Sequence, residues 1–260
     1  MLQNLDELNI SLIQYDVIWE DREANFDYLD QLLTQHSTDI ILLPEMFSSG
    51  FSMNVNLVSE KPFGSSFNWM MKKSKELNSA IAGSVSTKEG DKFYNRFYFV
   101  TPEGSIYIYD KKHLFGYGKE ADVYSAGDRL TTIYYKGWKI RPIICYDLRF
   151  PVWCRNTDHY DLMLCNASWP KARREAWITL LKARAIENMT YVAGVNRIGT
   201  DGYDLEYVGD SKIYDFLGND LTQKNQSSEI LQFTLNKTEL QSTRQHFGFL
   251  NDQDHFTLEL

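Results

Sequence analysis

The sequence predicts an α/β layered fold, sheets covered by helices, and three observations carry that expectation. Short apolar or alternating runs recur between turn signals along the chain. Stretches with helical spacing are interleaved among those runs. Hairpin signals join several neighbouring runs directly, so that not every connection is a helix.

In chain order, the strand-like runs cover residues 8–17, 39–44, 80–86, 96–115, 130–147, 161–168, 190–199 and 211–221. The Pro-Glu-Gly at 102–104 divides the fourth run into a hairpin, and the Lys-Gly at 136–137 divides the fifth. Helical spacing is clear in residues 22–37, where Phe26, Leu29, Leu32 and Leu33 share a face. It is clear again in residues 171–188, through Trp177, Leu180 and Leu181, with residues 65–78 as a third helix. Residues 238–247 read as a short helix followed by a tail. With 260 residues, 43% of them hydrophobic, the chain can bury a sizeable core, and no linker, repeat or low-complexity tract divides it. One domain, 1–260, is the expectation.

Twenty-seven basic residues against 35 acidic ones give a formal charge of −8, which argues against a nucleic-acid or anionic-membrane surface and favours small-molecule work. The first ten residues carry acidic groups where a secretory signal would be basic. No stretch approaches the roughly 18 consecutive apolar residues of a membrane span. Cys145, Cys154 and Cys165 form neither an even disulfide set nor a CxxC pair, so a reducing, cytoplasmic setting with free thiols is expected. Neither an H-x-E nor a CxxC metal pattern is present, and "FGYGKE" lacks the spacing of a phosphate loop.

Three reactive or charged residues stand where apolar strands end. "DIILLPEMF" runs into Pro44 and then Glu45, "SIYIYDKKHLF" ends at Lys111, and "RPIICYD" ends at Cys145. Loops at strand ends are where layered α/β folds build their sites. Singly, each residue has an ordinary explanation: a loop acid, a surface lysine beside Lys112, and a small buried hydrophobe, the usual fate of a free cysteine. Together they describe one chemistry. A thiol needs a base, and the tetrahedral oxyanion that it generates at an acyl carbon needs a positive donor. Glu45 can take the Cys145 proton and return it to a leaving amine, Lys111 can hold the oxyanion, and the backbone N–H of Tyr146 can be its second donor.

These residues resemble the nitrilase superfamily of carbon–nitrogen hydrolases, whose signature is a Glu-Lys-Cys triad. "LPEMF", "YDKKHLF" and "CYDLRFP" look like its three motifs in the family's order, and the likeness extends through "NASWP", "KARAIEN", "YVAGVNRIGTDG" and "GDSKIYDFLG". The resemblance implies Glu45 as general base, Lys111 as transition-state stabiliser and Cys145 as nucleophile. In the family the lysine precedes one variable residue and a histidine, which selects Lys111 over Lys112. A second family glutamate stands seven residues before a glycine, which here implies Glu120 ahead of Gly127, with the role of orienting Lys111. The implied fold is an α-β-β-α sandwich paired into a homodimer, and the implied reaction uses no metal or organic cofactor.

Where true nitrilases follow the cysteine with Trp-Glu, this chain has "YDLRFP", as in the amidase-like branches. "PEMFSSGFSM", "DKKHLF", "LRFPVWCRN" and "GVNRIGTDG" look most like the ω-amidases, which release ammonia from 2-oxoglutaramate or 2-oxosuccinamate. Many relatives place glutamate after "LRFP", and Val152 here is read as a feature of that branch. Other open readings are an N-carbamoyl amine amidohydrolase, a deaminated-glutathione amidase or a nitrilase, and a non-enzymatic binding protein that keeps the fold. A small oxo-acid amide requires a compact pocket with a cation for its carboxylate. Phe47, Trp169 and Tyr146 are candidate walls, and Arg173 is the candidate cation, or else part of a solvated helix face. Arg149 is expected to order the loop around Cys145 with Asp147, and His113 to play a supporting part. Cys154 and Cys165 are expected to be buried and inert.

Overall fold

The computed structural model describes residues 6–222 and 229–258. Along the chain run β1 (Glu7–Ile13), α1 (Arg22–Leu32), β2 (Ile40–Leu42), α2 (Val55–Val58), α3 (Ser65–Leu77), β3 (Ala80–Glu89), β4 (Lys92–Val100) and β5 (Ile106–Asp110). There follow α4 (Glu120–Val123), β6 (Ile133–Tyr135), β7 (Trp138–Ile144), β8 (Leu162–Ala167), α5 (Arg174–Asn188) and β9 (Tyr191–Asn196). The chain closes with β10 (Ile198–Thr200), β11 (Glu206–Val208), β12 (Lys212–Tyr214), β13 (Ile230–Asn236) and α6 (Lys237–Phe247).

Two mixed sheets form the body, one in the order β13-β1-β2-β3-β4-β5 and the other β12-β9-β8-β7-β6. Each has a parallel centre, β1-β2-β3 in the first and β7-β8-β9 in the second, with antiparallel flanks. Residue parity assigns the faces of the first sheet, because successive side chains on a strand point to opposite sides. Leu8, Ile10, Leu12, Ile40, Leu42, Phe97 and Phe99 pack inward in one core with residues of the second sheet. Ile13, Ile41, Leu43, Ile81, Tyr98 and Val100 point outward and are covered by α1 and α3 through Phe26, Leu29, Phe67 and Met70. The second sheet carries α5 on its outer side. Gly194 of β9 lets that helix come close, since a Cβ there would lie 2.6 Å from Leu181. The result is the expected α-β-β-α sandwich, and every residue of β8 is buried, as a strand covered on both faces requires.

Both expected hairpins form. Lys136 and Gly137 each have positive φ, the conformation of a type I′ turn matched to strand twist. Two strands were not foreseen in the sequence. In β13, Leu231 and Leu235 are buried while polar residues alternate with them, the pattern of a half-exposed edge strand, and β13 pairs antiparallel with β1. The short β11 forms a two-stranded sheet with β10 among the described residues. Among the described residues no helix is long and apolar enough to cross a membrane.

Candidate active site

Four strands from the two sheets end at one place. Glu45 follows β2 after Leu43 and Pro44, Lys111 follows β5, Cys145 follows β7 and Ser168 follows β8. A cross-sheet bond from the Glu45 amide to the Ala167 carbonyl (3.5 Å) ties the two ends together.

Glu45, Lys111 and Glu120 form one buried ionic cluster. Lys111 Nζ lies 2.8 Å from Glu45 Oε1 and 2.9 Å from both oxygens of Glu120. Asn95 of β4 donates to Glu45 (2.8 Å) and to Glu120 (3.3 Å), so a neutral amide holds the two carboxylates on either side of the cation. The second Glu45 oxygen accepts from the Ser168 amide at 2.9 Å, and the Phe115 amide donates to Glu120 Oε2 at 2.6 Å. Burial works against the charge on Lys111, yet Glu120 and Glu45 outweigh it and raise its pKa, so the ammonium persists. Burial likewise raises Glu120, with Lys111 opposing. Gly127, seven residues after Glu120, packs where a Cβ would sit 2.2 Å from the Asp110 carbonyl oxygen, immediately before Lys111.

Cys145 occupies a sharp elbow. Its φ of +44° is a strained left-handed conformation for a non-glycine residue, and the chain then enters a short 3₁₀ turn, Cys145–Arg149. Asp147 fastens that elbow: its carboxylate accepts from the Ile144 amide (3.0 Å), the Tyr109 hydroxyl (2.7 Å) and the His113 amide (2.9 Å), with His113 Nδ1 also at 2.9 Å. His113 therefore supports the turn from behind, as expected. Burial, and after it the charge of Glu45, push the Cys145 thiol well above its ordinary value, while Lys111 pulls it down. The amide of Tyr146 is among the first N–H groups of the turn, which have no acceptor within it.

Cys145 and Lys111 lie at the floor of a cleft whose empty space, open solvent included, is about 600 Å³. Tyr146, Trp169 and Arg173 line it, as the sequence predicts. Phe47 does not. Met46 takes a positive φ of 47°, the Met46 and Phe47 amides bind Ser84, and the Phe47 ring turns away beneath α3 against Trp69, fully buried. Phe51, four residues on, provides the aromatic wall instead, its ring centroid 5.0 Å from Lys111 Nζ. Arg149 also departs from expectation: Asp147 takes other partners, and the Arg149 guanidinium lies over the Trp169 ring at 4.9 Å, in the cleft wall.

Sequence reasoning also missed Phe115, Tyr203 and Tyr207 in the wall, and Asn95 and Ser168 at the floor. Asn95 had a signal, a lone amide inside an aromatic strand. Cys154 and Cys165 are fully buried, and burial pushes both thiols up, Cys154 to about 12. Among the described residues no group of three or more His, Cys, Asp or Glu side chains is disposed to hold a metal ion.

A nucleophile candidate on a strained elbow, a buried cation between two carboxylates and a compact cleft can together cleave an acyl–nitrogen bond. The chain is similar to known proteins. The carbon–nitrogen hydrolase family model matches residues 9–245. The omega-amidase YafV of Yersinia enterocolitica is 41% identical over 256 residues, covering 98% of this chain and 100% of its own. The 2-oxoglutaramate amidase of Bacillus subtilis (strain 168) is 30% identical over 250 residues, covering 94% and 96%. The crystal structure of XC1258 from Xanthomonas campestris, a CN-hydrolase superfamily protein with an arsenic adduct in its active site, superposes with a TM-score of 0.94 at 40% identity, over 97% of this chain and 99% of that one. With agreement that runs through both sheets and nearly end to end, the chain belongs to the carbon–nitrogen hydrolase family.

Proposed function

We propose that this hydrolase is an ω-amidase, which removes the terminal amide of 2-oxoglutaramate or 2-oxosuccinamate as ammonia through a thioester on Cys145. The observation that carries the chemistry is the buried Lys111 ammonium clamped between Glu45 and Glu120 at the nucleophile's elbow. The substrate follows from the similarity to enzymes named for these reactions and from cationic side chains in the cleft.

Because burial keeps the resting thiol protonated, its proton has to leave as the sulfur attacks. Glu45 takes that proton while the C–S bond forms. The amide oxygen becomes an oxyanion facing the Lys111 ammonium and the Tyr146 N–H. Glu45 then delivers the proton to the departing nitrogen, the C–N bond breaks and ammonia leaves. Water, deprotonated by the same carboxylate, cleaves the thioester and restores the thiol. Glu120 and Asn95 hold Lys111 and Glu45 in register throughout.

The test is ammonia release from 2-oxoglutaramate beside glutamine, an aliphatic amide, an N-carbamoyl amino acid and a nitrile. Preferential cleavage of the oxo-amide is the expected result. Turnover of another substrate with the oxo-amide inert would move the enzyme to another branch of the family. The same reading takes 1–260 as one catalytic domain, located in the cytoplasm and paired as a homodimer; light scattering tests the pairing.

A further inference from the structure

Between the two sheets, in a core built largely of aliphatic and aromatic side chains, Ser84 of β3 and Asn166 of β8 meet, and both are fully buried. Asn166 Nδ2 donates to Ser84 Oγ at 2.9 Å. The same oxygen accepts the Met46 amide at 3.0 Å, and the Ser84 carbonyl accepts the Phe47 amide at 3.2 Å. Both lone pairs of the Ser84 hydroxyl are thereby engaged, one by the loop after β2 and the other by the second sheet.

Each end of this bridge stands beside a reacting group. Met46 follows Glu45 directly and has a φ of 47°, a conformation that a non-glycine residue keeps only where its surroundings fix it. Asn166 is in parallel register with Ile144, the residue before Cys145. The direct backbone links from Glu45 to the second sheet are longer, 3.5 Å from its amide to the Ala167 carbonyl and 3.4 Å from the Ser168 hydroxyl to its own carbonyl. The path Met46–Ser84–Asn166 is therefore the tighter connection between the turn that carries the base and the strand beside the nucleophile.

Stability gives little reason for such a pair, since a buried hydroxyl and amide replaced together by apolar groups of the same shape can be nearly neutral. Asn166 Oδ1 is buried with no donor among the described residues, a desolvation cost that the single bond to Ser84 does not remove. What the pair supplies is a fixed geometry between the two sheets.

We propose that Ser84 and Asn166 are positioning residues, whose cross-sheet bond sets the Glu45 carboxylate within reach of the Cys145 thiol and so acts on the proton transfers rather than on substrate binding. This rests on the reading of Glu45 as general base. Proton transfer requires donor and acceptor within hydrogen-bond reach, and a displacement of about 1 Å can cost about 10²-fold in rate.

The experiment measures kcat, KM and the thermal midpoint of Ser84→Ala, Asn166→Leu and Ser84→Ala/Asn166→Leu, on 2-oxoglutaramate or whichever amide of the panel above the wild type cleaves. Each single variant is expected to lower kcat about 10- to 100-fold, with KM within about threefold of wild type. Adding Asn166→Leu to Ser84→Ala removes the amide that the first substitution leaves unpaired. The double variant is thus expected to melt above Ser84→Ala while its kcat stays as low. A kcat that recovers together with the midpoint overturns the proposal, and so does a kcat within about twofold of wild type in both single variants.

A second comparison is made in Glu45→Gln. If the bridge acts through Glu45, adding Asn166→Leu there lowers the residual kcat by no more than about twofold, and a further fall of about tenfold overturns the proposal. Near-wild-type kcat in Glu45→Gln itself would overturn the general-base reading. Low kcat in Glu45→Gln beside single variants at wild-type kcat would overturn the bridge alone.

Discussion

The floor and the wall of the cleft handle charge in opposite ways. At the floor, Lys111, Glu45 and Glu120 satisfy one another at 2.8–2.9 Å, with Asn95 and the Ser168 amide taking remaining valences. In the wall, Arg149 and Arg173 rest on aromatic rings with no carboxylate partner among the described residues. Burial explains the contrast: a fully buried charge without partners is too costly to keep, whereas a half-exposed guanidinium retains some solvation. The floor is thus complete in itself, and on the proposed function the wall is where a substrate's charge can be met. On the proposed mechanism, floor substitutions lower turnover of every amide alike, and wall substitutions change which amide is preferred.

The largest effect separating the two belongs to the nucleophile. Cys145→Ala is expected to lower ammonia release by about 10⁴-fold or more on any amide, with the thermal unfolding midpoint little changed. Turnover retained in that variant would remove the floor from the chemistry. Next is Lys111→Met, which deletes the cation between two buried carboxylates. Its expected cost is about 10²–10³-fold in kcat. Denaturant titration should also show about 3–5 kcal/mol of lost stability, because breaking a buried pair leaves uncompensated charge. Lys112, whose ammonium lies over Trp153 rather than at the floor, should tolerate alanine within about twofold; the reverse order of effects would show that the motif has been read one residue out of register.

Asn95→Leu tests whether the tether between the carboxylates counts as part of the floor. Removing its donors leaves buried Glu45 and Glu120 oxygens with one partner fewer, an expected loss of about 1–3 kcal/mol in stability together with reduced kcat. The smallest pair of effects contrasts two phenylalanines. Phe47→Leu should lower stability by up to about 1.5 kcal/mol with KM unchanged, and Phe51→Leu should shift KM a few-fold. Equal KM shifts in both would contradict the placement of Phe51 in the cleft and of Phe47 against Trp69 of α3.

The same contrast governs what could be read from the sequence. Glu45, Lys111 and Cys145 each stand just beyond a hydrophobic strand and so were visible as local anomalies, whereas Glu120 opens α4 and came from the family motifs, and Asn95 lies inside β4. The layered fold was visible for a similar reason, since buried strands and amphipathic helices write their periodicity directly. Wall residues are ordinary by local pattern. Phe47 and Phe51 sit four apart in one loop whose backbone takes a positive φ at both Met46 and Gly50, and the local pattern does not say which ring faces the cleft. Arg149 could be assigned to Asp147 on proximity alone, and the structure gives Asp147 to Tyr109, His113 and the Ile144 amide instead. β13 was overlooked although Leu231, Phe233 and Leu235 alternate with Gln232, Thr234 and Asn236 in the period of a half-buried edge strand.

The thiol's environment supplies a pH dependence. Since burial raises the Cys145 pKa well above its ordinary value near 9, the protonated form dominates through neutral pH. Its alkylation rate should therefore keep climbing as pH passes 9, where an ordinary exposed thiol levels off.

The most direct test of the central claim is to titrate the wild-type enzyme with iodoacetamide at fixed pH, map the label by peptide mass spectrometry and measure 2-oxoglutaramate hydrolysis in the same samples. Activity is expected to fall in proportion to one label per chain on Cys145, with Cys154 and Cys165 unlabelled while the fold is intact and with substrate slowing the labelling. Full labelling of Cys145 with hydrolysis undiminished would contradict that claim.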